Sequence, residues 1–223
     1  MRGIVWAGID KLAYVGKKMK IKTNRFAVAA AILLALCLVF VTPVGAEAVT
    51  VDSDEEFKNA VAAEIDHIVI NLDSDVEYDV AAWKTEPYPL GGENTETITI
   101  NGNYHTLTFY QNNNDWNNVV TKNPEATLIL NNVKISNSNY NNGGWNRHDI
   151  NFNCSVELTN VTSDKALAFK KGAILKNVTI SDVHPENSHV YSIWIQPNGQ
   201  TVTLDGCEIV TDRAEEGGIV IND

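Results

Sequence analysis

Arginine is scarce in this chain: beyond residue 46 only Arg147 and Arg213 occur. Lys+Arg number 17 against 28 Asp+Glu, a net charge of −11. Such a chain is a poor partner for nucleic acid, whose binding rests on cations neutralising phosphates. Cysteine is rare as well, with three in 223 residues. Helix signals are few, and no apolar run reaches the roughly 20 residues that span a bilayer. What is present suits one globular domain, because 44% apolar and 20% charged residues argue against disorder.

The basic residues crowd the start: Arg2, Lys11, Lys17, Lys18, Lys20, Lys22 and Arg25 precede an apolar run from Phe26 to Val41. The small-residue segment Pro43-Val44-Gly45-Ala46-Glu47-Ala48 follows. That order is the order of a secretory signal peptide, cut after Ala46 or Ala48. Met19 would open a more ordinary signal peptide than Met1. A membrane anchor is the alternative, but the apolar run is short for one. Removing residues 1–46 takes away those seven cations and Asp10, so 10 positive and 27 negative charges remain, −17 over 177 residues. The expectation is a secreted or cell-surface protein, with no membrane contact after cleavage and with anionic partners disfavoured.

Five segments repeat one pattern: Thr97–Gly102, Thr127–Val133, Ser155–Val161, Ala173–Val178 and Thr201–Cys207. Each is an alternating strand, a polar corner of Asn or Gly, then a second short strand. The last strand positions, Ile100, Leu130, Leu158, Leu175 and Leu204, are 30, 28, 17 and 29 residues apart. An irregular period of this size is the signature of a solenoid. Further strand-like pieces at 118–120, 150–152, 166–169, 192–195 and 218–221 give about three strands per turn. Alternation turns Ile98, Ile100, Leu128, Leu130, Val156, Leu158, Val202 and Leu204 to one side, and stacking buries them. Asn or Gly at the corner supplies a left-handed backbone, and stacked Asn side chains can bond along the coil axis. A two-sheet sandwich is the alternative, but its strands usually lack a repeated corner.

Ser53 and Glu56 form a capping box opening a helix through about Ala63, with Phe57, Val61 and Ile65 on its apolar face. This helix could cover the first coil. At the other end Gly217–Asp223 reads as the opening strand of another turn. The expectation is a β-helix continued by missing residues or by another chain. The fold class is therefore all-β, a right-handed parallel β-helix with a short N-terminal capping helix and an open or truncated C-terminal end. Its parts are a signal peptide over 1–46, a cap and first coil over 47–95, and further coils over 96–223.

From about Val49 to Asp223 the chain resembles the secreted right-handed parallel β-helix proteins of the pectate-lyase-like superfamily. It resembles in particular bacterial surface proteins with the repeat Thr-Val-Thr-Leu-Asn-Asn-Val-Thr-Ile, and Thr97–Phe109 looks like that group's first complete coil. The resemblance implies a fold, while the superfamily spans polysaccharide lyases, glycoside hydrolases, adhesins and domains without activity. Several family strings are missing, including Asn-Thr-Asp, Gly-His-Gly and Arg-Ile-Lys. Where a lyase would carry Trp-Ile-Asp, this chain has Trp194-Ile195-Gln196.

Two long loops, Tyr110–Asn118 and Ser136–Asp149, follow equivalent strands on neighbouring turns, so their bases should stand about 5 Å apart. They carry Asp115, Trp116, Tyr140, Trp145 and His148, with Arg147 beside them. Aromatic faces pack on sugar rings while Asn and Asp bond hydroxyls, which suits a carbohydrate-binding flank. Alternatively the aromatics pack back on the coil. For catalysis the candidates are Asp149, His184, Glu186 and Arg213, since paired carboxylates on stacked loops could divide acid and base roles. A solvated acidic face is the plainer reading. Asp73, Asp75, Glu77 and Asp79 would share one face of an extended strand and offer oxygen ligands to calcium. The EF-hand pattern fails there, and like charges on an edge strand explain the same residues. Cys154 and Cys207 should both face the core as free thiols. Two glycosylation sequons, at Asn160 and Asn177, are by-products of the repeat.

The first functional reading is a secreted or surface β-helix module, carbohydrate-binding or adhesin-like, with a polysaccharide or cell-surface glycan as partner. No catalytic motif is visible, and no cofactor is required unless the carboxylates hold calcium. The alternative is a polysaccharide lyase or glycoside hydrolase acting on acidic or plant polysaccharide along the loop flank.

Overall fold

The computed structural model describes residues 47–79, 88–110, 117–137, 150–181, 191–196, 200–210 and 218–221. Their strands form three sheets of seven, six and five strands. Every strand pair is parallel, so the chain is a β-solenoid and the sandwich is excluded. The first sheet stacks Val49–Val51, His67–Leu72, Thr97–Asn101, Thr127–Asn131, Ser155–Thr159, Ala173–Lys176 and Val202–Asp205. The second runs from Val76–Asp79 to Glu208–Val210, and the third from Asn117–Val119 to Ile219–Ile221. Ile100, Leu130, Leu158, Leu175 and Leu204 occupy one column, in the register that the irregular spacing implies. Ile70 extends that column by one turn, on a strand the repeat pattern did not single out.

Corner chemistry holds the turns in line. Asn132, Asn160 and Asn177 have φ of 50°, 53° and 53°, and Gly206 has 63°. Asn tolerates that left-handed region better than other side-chain-bearing residues. Asn177 donates to Asn160 Oδ1 at 3.2 Å, and Asn160 donates to Asn132 Oδ1 at 3.0 Å. A second ladder runs Asn131 to Asn101 at 3.1 Å and Asn101 to Asn71 at 2.9 Å. Both sequon asparagines thus spend their amides along the coil axis. Gly102 departs from the corner rule, because the positive φ there falls on Asn103 and Tyr104. Its reason is crowding: a Cβ on Gly102 would lie 2.3 Å from Val133 Cβ.

The helix spans Asp54–Val61. Ser53 caps it, accepting the Glu56 N–H at 3.5 Å, while Glu56 accepts the Asp52 N–H at 3.1 Å. Phe57 and Val61 are fully buried, and Phe57 meets Tyr78 edge-on at 5.5 Å. Ile65 differs from expectation: it lies beyond the helix and is exposed, since the helix ends two residues early at the Ala62 cap.

The core is a continuous column of aliphatic side chains with Phe109, Phe152 and Phe169 among them. Val202 and Leu204 point along the buried column but are only half-buried and exposed, because theirs is the last strand of the first sheet. The same position explains the thiols. Both are free, with Cys154 buried and Cys207 intermediate. Burial pushes the Cys154 thiol up to about 12, so it is inert at neutral pH.

Candidate functional site

The segments between the second and third sheets define a flank. Phe109 pairs with Asn137, and Asn117 with Ile150, so both long loops leave and return on neighbouring strands. The spacing expected for their bases is therefore met. Asp115, Trp116, Tyr140, Trp145 and His148, and the catalytic candidates Asp149, His184, Glu186 and Arg213, lie outside the described residues, as do residues 1–46.

The loops return to strands of the third sheet, whose outer face is described. Ile150, Phe152, Leu167, Phe169 and Ile193 belong to the core, so the alternating residues Asn151, Ala168, Ser192 and Trp194 face outward. Outward residues of a solenoid are ordinarily wet. Here Asn151 and Ala168 are fully buried and Ser192 nearly so, which means the middle of this sheet is covered on both faces, while its last strand, Ile219–Ile221, is partly open. Both polar atoms of the Asn151 amide, and the Ser192 hydroxyl, are buried without a hydrogen-bond partner among the described residues. An unpaired buried polar group costs about 1–3 kcal/mol, and such groups are few in native proteins. Trp194 follows Ala168 in the Asn151 column and is half-buried, with its ring 5.5 Å from that of Tyr191. Amide, hydroxyl, methyl and two aromatic rings thus share one strip. Alternation alone leaves Asn151 and Ser192 looking like solvated strand residues, and the nearby string Trp194-Ile195-Gln196 stands out in the sequence only as a departure from the lyase motif.

The acidic segment arranges differently from one strand face. The strand is Val76–Asp79, at the edge of the second sheet, and Asp73 and Asp75 precede it. Asp75 spends an oxygen on the Thr106 N–H at 2.7 Å and lies 3.5 Å from His105 Nδ1. Only Glu77 and Asp79 remain on a common strand face, and no group of three or more His, Cys, Asp or Glu is gathered for a metal among the described residues. Burial, then the charges of Asp54 and Asp79, push the Glu77 carboxyl above its ordinary range. The folded chain therefore holds this proton more tightly than the unfolded chain. Stability contributed here falls as pH rises from the ordinary carboxylate range through the raised value, and the penalty is complete above it. Glu77→Gln should raise the melting temperature slightly at pH 7, with the gain gone near pH 4, as differential scanning calorimetry would record.

No protein-family model, characterised protein or solved structure matches the chain.

Proposed function

We propose that the chain is a secreted or cell-surface carbohydrate-binding module of adhesin type, built on a parallel β-helix of the pectate-lyase-like kind. The observation that carries this reading is the third-sheet strip: the Asn151 amide and Ser192 hydroxyl, without hydrogen-bond partners among the described residues, in the same outward strip as the paired Tyr191 and Trp194 rings. Sugars need such a pairing, because they present apolar C–H faces ringed by hydroxyls. An indole takes the face, and amide and hydroxyl groups take the rim. The loops bearing Trp116, Tyr140 and Trp145 leave from the same flank, which would lengthen the contact surface. Since Asn151 is sealed from solvent, glycan binding at this column is coupled to opening of the outer face. The leader-like residues 1–46 and the acidity of the remainder suit an exported protein that meets neutral glycans.

Glycan arrays followed by calorimetry on the best plant or host polysaccharide test the reading. Trp194→Ala should weaken binding at least about tenfold, the size of a lost aromatic platform. Trp116→Ala and Trp145→Ala should weaken it in the same direction. An array blank for the parent protein, or an unchanged affinity in all three variants, would end this assignment.

A further inference from the structure

We propose that a second saccharide site lies on the outer face of the first sheet, in a notch over Gly172, and that it takes one ring of a neutral glycan. It shares no residue with the third-sheet strip and does not rest on it. Ala173 pairs with Val156 on one side and Val202 on the other. Gly172 therefore stands between Ser155 and Thr201. The outward column here reads Thr97, Thr127, Ser155, Gly172, Thr201, a row of hydroxyls interrupted by one missing side chain. The next column brings Glu157, Ile174 and Thr203 alongside. Together with Gln200 these residues line a hollow of about 360 Å³.

Nothing in the backbone demands glycine at this position. Gly172 is not among the positive-φ residues. A Cβ there would meet Gln200 Oε1 at 3.5 Å and Thr201 O at 3.6 Å, both ordinary contacts. Glycine near a strand is otherwise unfavourable, since it loses more freedom on folding than any other residue. The missing side chain is what makes the notch, in contrast to Gly102, where a side chain has no room.

The lining selects the ligand class. Ser155, Thr127, Thr201 and Thr203 both donate and accept, Glu157 accepts, and the Gln200 amide does each. Ile174 is 37% exposed and offers an aliphatic patch for a C–H face. A purely apolar ligand would strand the hydroxyls without partners. An anionic ligand would meet Glu157 and no cation, as no Lys or Arg lines the hollow among the described residues. A neutral, polyhydroxylated ring satisfies both conditions. With the flank as a first contact, two sites on different sheets would let the module gain avidity on a surface dense in glycan.

The test is a titration of the full chain, with isoleucine methyls labelled for NMR, by cellohexaose, xylohexaose, mannohexaose and hexagalacturonate. A neutral hexasaccharide should shift the Ile174 methyl saturably, with a dissociation constant on the order of 1 mM for so small a contact. Gly172→Val should weaken this at least about tenfold, and Gly172→Ala, whose Cβ makes only ordinary contacts, should weaken it in the same direction with the melting temperature kept. Glu157→Gln, an exposed and mild change, should weaken it a few-fold, while Trp194→Ala leaves the Ile174 response intact. Silence of Ile174 up to about 10 mM of all three neutral sugars overturns the proposal, as does parental affinity in Gly172→Val. Tighter binding of hexagalacturonate overturns the assigned class. A positive array with a silent Ile174 removes the notch alone, and the converse removes the flank alone.

Discussion

Gly102→Ala is expected to destabilise the solenoid by about 3 kcal/mol or more, the upper end for overpacking. The new methyl would sit 2.3 Å from Val133 Cβ and 2.6 Å from Val133 Cα. A rotamer change relieves neither contact, because one partner atom is backbone and the other is fixed to it. The two corners would have to separate, yet they are tied by the Gly102 N–H to Asn131 O bond at 2.7 Å and the Tyr104 N–H to Asn132 O bond at 2.7 Å. Val133→Ala keeps its Cβ and so should not rescue Gly102→Ala, whereas Val133→Gly should recover part of the loss. A double-mutant cycle by urea unfolding measures this coupling. Gly102→Ala within about 1 kcal/mol of the parent, or full rescue by Val133→Ala, would show that crowding is not what holds glycine at this corner.

The register of the first sheet from Thr97 onward could be read from the sequence because its turns repeat one short grammar: alternating apolar residues, then a corner of Asn or Gly. Column membership then follows from counting, even across the short 17-residue turn between Leu158 and Leu175. The corner amides were legible for the same reason, since Asn is among the few side chains that accept left-handed backbone and can also bond its counterpart one turn away. Alternation misled at Asp73 and Asp75, where the chain bends to place Ser74 Oγ on Asp52 O and Asp75 on the next corner. Those are contacts across turns, and a local pattern does not encode them. Ile65 failed likewise: helical spacing continued past the point where the chain turned away. The least legible feature was the covered outer face of the third sheet. Whether Asn151 is wet or sealed depends on what lies over it, and a period-2 pattern only says which way it points. Topology shows only that the two long loops leave and return on neighbouring strands, and the Asn151 amide and Ser192 hydroxyl emerge only from the packing.

Phe152→Ala should cost about 3–5 kcal/mol, lowering the melting temperature by about 10 °C. The ring is fully buried between two neighbours, stacked on Phe169 at 5.7 Å with planes 9° apart and edge-on to Phe109 at 6.4 Å. Removing it leaves a void where the second and third sheets face each other, and the strand pairing around it is too regular to collapse inward. Phe152→Leu refills most of that volume and should cost closer to 1 kcal/mol. In a solenoid each turn contacts chiefly its neighbours, so the loss should be felt first in the strands that flank Phe152. Hydrogen exchange should therefore quicken at Val119 and across Leu167–Phe169 before it does at Ile68–Leu72. Uniform quickening over all turns would contradict this nearest-neighbour picture. Because Asn151 projects from the opposite face of the same strand, Phe152→Ala also loosens the strip on which glycan binding is proposed. Its affinity loss should then follow its exchange pattern, whereas that of Trp194→Ala should appear with protection unchanged.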